Sequence, residues 1–234
     1  MIFNDQLMFI HIGKTGGSSC SDFLIHNLRG PAWNCHADAD LELAPLGIAD
    51  VSPRTDIKRH CTLEEAAAYV HEFDGRRLED FERIVAVIRD PYTLEYSHYH
   101  YMKLPAVRER EKGNPALLER TSGNLLDFVQ RAGYHRKNTP QEGYFLFDGQ
   151  LLPNVTLVRY ERLAEDFPSI VAPFLKRDAS FPFPHSNRTG YDSRVEQEMT
   201  AEIEALVYAK HRYMFDSGLY PRRLQLHASP RPGR

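Results

Sequence analysis

Three glycines, one lysine and three hydroxyl residues crowd into one short stretch, Gly13-Lys14-Thr15-Gly16-Gly17-Ser18-Ser19. That combination suits an anion. Glycines let the backbone curl closely around a phosphate. Lys14 adds a mobile positive charge, and Thr15, Ser18 and Ser19 add hydroxyl donors. The order differs from a Walker loop, in which the lysine and the Mg²⁺-holding Ser or Thr follow the last glycine. Here the lysine precedes the glycine pair. Nor is the stretch a dinucleotide G-x-G-x-x-G. A plain glycine turn between two elements is the competing reading.

A second group is Arg89-Asp90-Pro91, with Ser97 following. An arginine at a strand end with a nearby hydroxyl can grip another phosphate. The plainer alternative is a capped helix beside a surface arginine. A third is His60, in Lys58-Arg59-His60-Cys61-Thr62. An imidazole, with an ordinary pKa of about 6.5, is suited to take a proton from an attacking hydroxyl. The chain has 11 histidines, so His60 can equally be a residue that caps or packs a helix. His98 and His100 lie two apart on an expected helix and face different ways. They stay open as acceptor-site residues, and His11 is read as structural.

These residues need elements to hold them. Leu7 to Ile12 is a short apolar run that predicts a buried strand. A turn over Gly13 to Gly17 and a helix over Ser18 to Leu28 follow, an arrangement that aims backbone N–H groups at an anion. Gly30 to Arg59 has few periodic signals and is expected to be mostly irregular. Thr62 and Glu65 form a capping box for the next helix. Arg83 to Ile88 predicts a central strand, and Asp90 and Pro91 start a helix to about Met102. Lys103 to Asn124 is expected as a solvated loop or lid, and Asn124 to Ala132 as a short helix. Val155 to Tyr160 predicts another strand, and Glu161 to Lys176 is helical in parts. Phe181 to Tyr191 is a loop carrying His185, Asn187, Arg188 and Thr189. Ser193 caps a last helix with Val195, Met199, Ile203 and Leu206 on one face. The alternation predicts an α/β fold, a P-loop-like domain with a central parallel sheet flanked by helices. Residues 1–220 form one domain in this reading, and 221–234 a flexible basic tail.

The net charge of the 234-residue chain is -3, so no whole-surface attraction to nucleic acid is expected and an anion site must be built locally. Cys20, Cys35 and Cys61 are odd in number and lack a C-x-x-C, which predicts free thiols in a reducing cytoplasm. Their spacing with His36 and His60 matches no zinc pattern. The first residues resemble neither a secretory signal nor a membrane span. Nothing in the sequence marks an oligomeric state.

FIHIGKTGGSS and VIRDPYTLEYSHY, in that order and at that separation, resemble the sulfotransferase superfamily that uses 3′-phosphoadenosine-5′-phosphosulfate (PAPS). The likeness is to its carbohydrate branch, which includes the heparan sulfate 2-O- and 6-O-sulfotransferases and small bacterial homologues. TLVRYERL and HSNRTGY extend it toward the C-terminus. The resemblance implies that Lys14 bridges the phosphosulfate and that Gly13 and Thr15 to Ser19 hold the 5′-phosphate. It implies Arg89 and Ser97 at the 3′-phosphate, with Arg188 and Thr189 beside them, and His60 as the base. Leu94 departs from the pattern, since many relatives carry arginine there. The implied reaction transfers a sulfuryl group to an acceptor hydroxyl on a saccharide, with adenosine 3′,5′-bisphosphate (PAP) as product and no metal. The alternatives are a P-loop nucleotide or small-molecule kinase using ATP and Mg²⁺, or a nucleotide-binding protein without turnover.

Overall fold

The computed structural model describes residues 1–35, 51–54, 56, 59–134, 138–184 and 198–223. The expected loop with His185, Asn187, Arg188 and Thr189, the Ser193 cap and most of the basic tail lie outside them. The chain divides into two compact units, Met1–Arg89 with Gln141–Arg188, and Asp90–Pro140 with Thr189–Arg234.

The first unit is α/β. Its strands are β1 (Ile2–Phe3), β2 (Leu7–Ile10), β3 (Ala32–Asn34), β4 (Val51–Pro53), β5 (Arg83–Ile88) and β6 (Val155–Arg159), in sheet order β4-β3-β1-β2-β5-β6. Its helices include α1 (Gly17–Asn27), α2 (Leu63–Asp74) and, late in the chain, α7 (Leu163–Val171). The strands β2, β5 and β6 run parallel, as do β3 and β4, but β1 is antiparallel to both β2 and β3. The sheet is therefore mixed, which corrects the expectation of a parallel one. The cause is a tight turn. The buried Asn4 side chain accepts from Gln6 and Leu7 N–H at 2.9 and 2.7 Å, and Asn4 N–H donates to Leu7 C=O at 3.0 Å. An asparagine bonded this way folds the chain back on itself.

The apolar run of β5 places alternate residues on the two faces of the sheet. Val85 and Val87 pack with Leu7 and Phe9 of β2, Val158 of β6, Phe23 and Leu24 of α1, and Phe167 and Val171 of α7. Ile84, Ala86 and Ile88 are buried as well, as suits a strand covered on both faces. Each such fully buried large side chain contributes about 1.5–3 kcal/mol, so this face anchors α1 and the loop leading into it. At α2, the Thr62 hydroxyl accepts from Glu65 N–H at 3.2 Å and the Glu65 carboxylate accepts from Thr62 N–H at 2.8 Å. The capping box is complete. Among the described residues from Gly30 to Arg59, β3 and β4 are the regular parts. Three-residue strands are too short to show a period.

The second unit contains α3 (Pro91–Met102), α4 (Pro105–Arg110), α5 (Pro115–Arg120), α6 (Leu125–Arg131), α8 (Ala201–Lys210) and α9 (Arg212–Asp216). Asp90 caps α3, accepting from Thr93 N–H at 2.9 Å, with Pro91 in its first turn. The expected loop from Lys103 to Asn124 holds two short helices instead. Pro105 and Pro115 stand in their first turns, where proline starts a helix rather than breaking one. Thr200 caps α8, accepting from Ile203 N–H at 3.2 Å.

Candidate anion-binding and catalytic site

Three adjacent parallel strands deliver their following residues to one edge of the sheet. Pairing of Ile10 with Ala86 and of Ile88 with Arg159 sets the carboxyl ends of β2, β5 and β6 side by side. The glycine loop leaves β2 there, Arg89 follows β5, and Tyr160 follows β6. Open α/β sheets bind ligands at this edge.

The three meet. Arg89 is 4% exposed, its Nη1 donates to the Lys14 carbonyl at 3.1 Å, and its guanidinium lies 4.1 Å from the Tyr160 ring centroid. The Gln141 side chain pins the backbone of Arg89, accepting from its N–H and donating to its C=O, both at 2.9 Å. In the loop itself, the buried Thr15 hydroxyl donates to Ile12 C=O at 3.0 Å. Thr15 therefore closes the turn with its hydroxyl proton. Gly16, at φ 81°, is the N-cap residue of α1, and a Cβ there would lie 2.5 Å from Leu163 Cδ2. A Cβ on Gly17 would lie 2.2 Å from the His11 ring. Only glycine fits either place.

Lys14 sits at φ 67°. A left-handed backbone is uncommon for a lysine and marks a position held for some other reason. The first turn of α1 carries no acidic residue and no side-chain cap. Its N–H groups and its dipole thus present positive potential, which an anion relieves. Ser18 is half-buried and Ser19 buried in that turn.

Beside the loop, His60 bonds through Nδ1 to the His11 carbonyl at 3.0 Å. A carbonyl only accepts, so Nδ1 carries the proton, and Nε2 is the basic nitrogen of the neutral ring. The two imidazole rings meet edge-on, with centroids 4.7 Å apart. Arg59 donates from Nε to His11 Nδ1 at 3.1 Å and from Nη2 to Ser18 Oγ at 3.0 Å. Asp22 lies one turn further along α1, where burial pushes its carboxyl pKa up while Arg59 and His26 pull it down.

Gly13 to Ser19, Arg89 and His60 thus fall within the first unit. Ser97 belongs to the second, buried on α3 at 6% exposure. His98 packs edge-on against Phe128 at 4.9 Å, and His100 lies 4.4 Å from Tyr96. Arg188 and Thr189 lie outside the described residues. Arg59, His11, Tyr160 and Gln141 were not singled out for the site by residue type. Adjacency to His60 was the available signal for Arg59, and position at the end of a strand for Tyr160. The three cysteines are free and buried, and burial pushes the Cys35 thiol up to about 12. Among the described residues no cluster of His, Cys, Asp and Glu could hold a metal ion, and no helix is long and apolar enough to cross a membrane.

No protein-family model, curated protein or solved structure matches the chain.

Proposed function

We propose that the glycine loop acts as a P-loop-like cradle for the 5′-phosphosulfate of PAPS, and that the chain transfers the sulfuryl group to an acceptor hydroxyl. The observation that carries this reading is the joining of a proton-accepting histidine to an anion cradle. His60 is bonded at Nδ1 to the last residue before Ile12 and the glycine loop, so its basic Nε2 is held by the same strand end that positions Lys14. A first turn without acid or side-chain cap and a glycine pair closed to any Cβ fit a phosphate group.

PAPS, when bound, supplies an activated sulfuryl group on a leaving phosphate. His60 Nε2 takes the proton of the acceptor hydroxyl as its oxygen attacks sulfur. Negative charge then grows on the oxygen that bridged sulfur and phosphorus. Lys14 and the N–H groups at the start of α1 stabilise that charge where it develops. Arg89 braces the loop through the Lys14 carbonyl, and the resemblance places it at the 3′-phosphate. A saccharide acceptor is favoured by the resemblance, and a reducing cytoplasm by the unpaired cysteines.

Thermal denaturation with nucleotides tests the cradle. PAP should raise the melting temperature more than AMP or ADP, and more than Mg·ATP, because a ligand stabilises in proportion to its affinity for the folded state. Equal shifts for all four would sink the 3′-phosphate assignment to Arg89 and Ser97, and the largest shift for Mg·ATP would favour the kinase reading. Transfer from labelled PAPS to a panel of saccharides then tests turnover.

A further inference from the structure

Arg59 immediately precedes His60 in sequence, yet its side chain reaches away from that turn to two other elements. Nε donates to His11 Nδ1 at 3.1 Å, at the end of β2, and Nη2 donates to Ser18 Oγ at 3.0 Å, in the first turn of α1. These bonds fix more than their own partners. With Nδ1 of His11 accepting, neutral His11 carries its proton on Nε2. Its ring is thereby set above Gly17, where only a hydrogen fits, and edge-on to His60 at 4.7 Å. The His11 carbonyl in turn takes the Nδ1 proton of His60 at 3.0 Å. The backbone of Arg59 is held as well, its carbonyl accepting from the Met1 amine at 2.8 Å.

We infer that Arg59 is a positioning residue, whose two-pronged guanidinium fastens the base-bearing turn to the anion cradle and so keeps His60 on the His11 carbonyl that sets its tautomer. Both features of arginine are used. The planar fork spans two acceptors in fixed geometry, which a lysine cannot do. The permanent charge stands near the imidazole and opposes its protonation. Other groups facing this corner are His11 just after β2, Asp22 and Ser18 on α1, Cys61 on the following turn, and the Met1 amine, whose pKa burial lowers. Of these Asp22 is the one carboxyl; burial raises its pKa, and Arg59 offsets part of that rise.

The inference rests on the sulfotransferase reading for its catalytic part but not for its tautomer part, so two measurements are paired. The first needs no turnover. Ring ¹⁵N and ¹³C shifts of His60 are followed against pH in wild type, Arg59→Ala and Arg59→Lys. Wild type should show the Nδ1–H tautomer. Arg59→Ala should mix the tautomers and raise the imidazole midpoint by about half a unit to one unit, the scale of one nearby charge in a partly solvated site. Arg59→Lys should keep the midpoint near wild type yet still mix the tautomers. The second is steady-state sulfuryl transfer. Both variants should lose kcat, by about 10²-fold, while KM for PAPS stays within about threefold of wild type. The acidic limb of the rate profile should move upward only in Arg59→Ala. A folded Arg59→Ala with an unchanged His60 tautomer and midpoint overturns the inference whatever the assay shows. Full rescue of kcat by lysine overturns the role of the fork. Shifts that behave as expected in a protein with no transfer activity overturn the sulfotransferase reading and leave the positioning of His60 standing.

Discussion

The two units bury charge in opposite ways. Among the described residues of the second, two buried carboxylates are clamped by cations. Glu95, 2% exposed, accepts from His211 Nε2 at 2.7 Å and from Lys210 Nζ at 3.0 Å. Glu204, equally buried, takes a two-pronged bond from Arg222 at 3.1 and 3.0 Å and another from the Tyr92 hydroxyl at 2.8 Å. In the first unit, cations reach in around the glycine loop beside half-buried Asp22, and the bonds just described bring them a carbonyl, an imidazole, a hydroxyl and a ring face. Arg89 and Arg59 are the cases. The first arrangement balances its own charge and reads as structure. The second sets arginines around a helix start, the part of a helix that favours anions.

The largest effect that would break this contrast is on turnover. A general base contributes about 10²–10⁴-fold, so His60→Ala should lose rate on that scale and still bind PAP. In wild type the rate should fall as pH drops and the imidazole takes up a proton. If His60 merely packs its turn, the variant instead melts earlier and keeps its rate per folded molecule. Melting temperature, PAP affinity and turnover on one preparation separate the two.

A stability test sharpens the other side. Burial alone would push the Glu95 carboxyl up, but Lys210, the hydrogen bond and charge of His211, and His98 outweigh it and hold the pKa at about 2. A pKa lowered on folding contributes stability above the unfolded value, and that contribution is lost as pH falls through the folded value. Glu95→Gln should therefore destabilise by about 3–5 kcal/mol near neutral pH, the usual cost of breaking a buried pair. The gap to wild type should close as pH falls from the unfolded value of 4.5 toward about 2. Denaturant titrations across that window check it. A gap that stays constant would mean that Glu95 acts through packing rather than charge.

What the sequence made legible follows from range. Arg83 to Ile88 is a run of β-branched and apolar residues, and it forms a strand with those ends. The Thr62–Glu65 box and the Asp90-Pro91 helix start are also local, since each is settled within three residues. The reversed β1 was not legible, because a two-residue strand leaves no pattern and depends on one asparagine side chain. The same division holds at the site. Residue types pointed to Lys14, Arg89 and His60. The partners Tyr160, His11 and Arg59 depend on which strand lies beside which, and the order β4-β3-β1-β2-β5-β6 is a product of the whole fold. The left-handed backbone of Lys14 was likewise hidden, since lysine has no preference for it.

That backbone supplies the smallest and most discriminating test. At φ 67° a lysine carries a steric penalty of about 1–2 kcal/mol that glycine lacks. Glycine returns part of this, about 0.5–1 kcal/mol, through the greater freedom of its unfolded chain. A cation near a helix N-terminus is also unfavourable, by about 0.3–1 kcal/mol. From these three effects, Lys14→Gly should without ligand be more stable than wild type, by about 0.3–2.5 kcal/mol. Lys14→Ala, which keeps the strained φ, should fall between them. Adding PAP should reverse the order, because only wild type has the lysine to meet the phosphate. The turnover of both variants should drop by about 10²-fold or more, as expected on removing a charge that acts in the transition state. Urea midpoints with and without PAP read the reversal directly. If both variants are less stable than wild type before ligand is added, Lys14 is held for its own contacts, and the contrast between a self-balanced unit and a ligand-seeking one fails at its central residue.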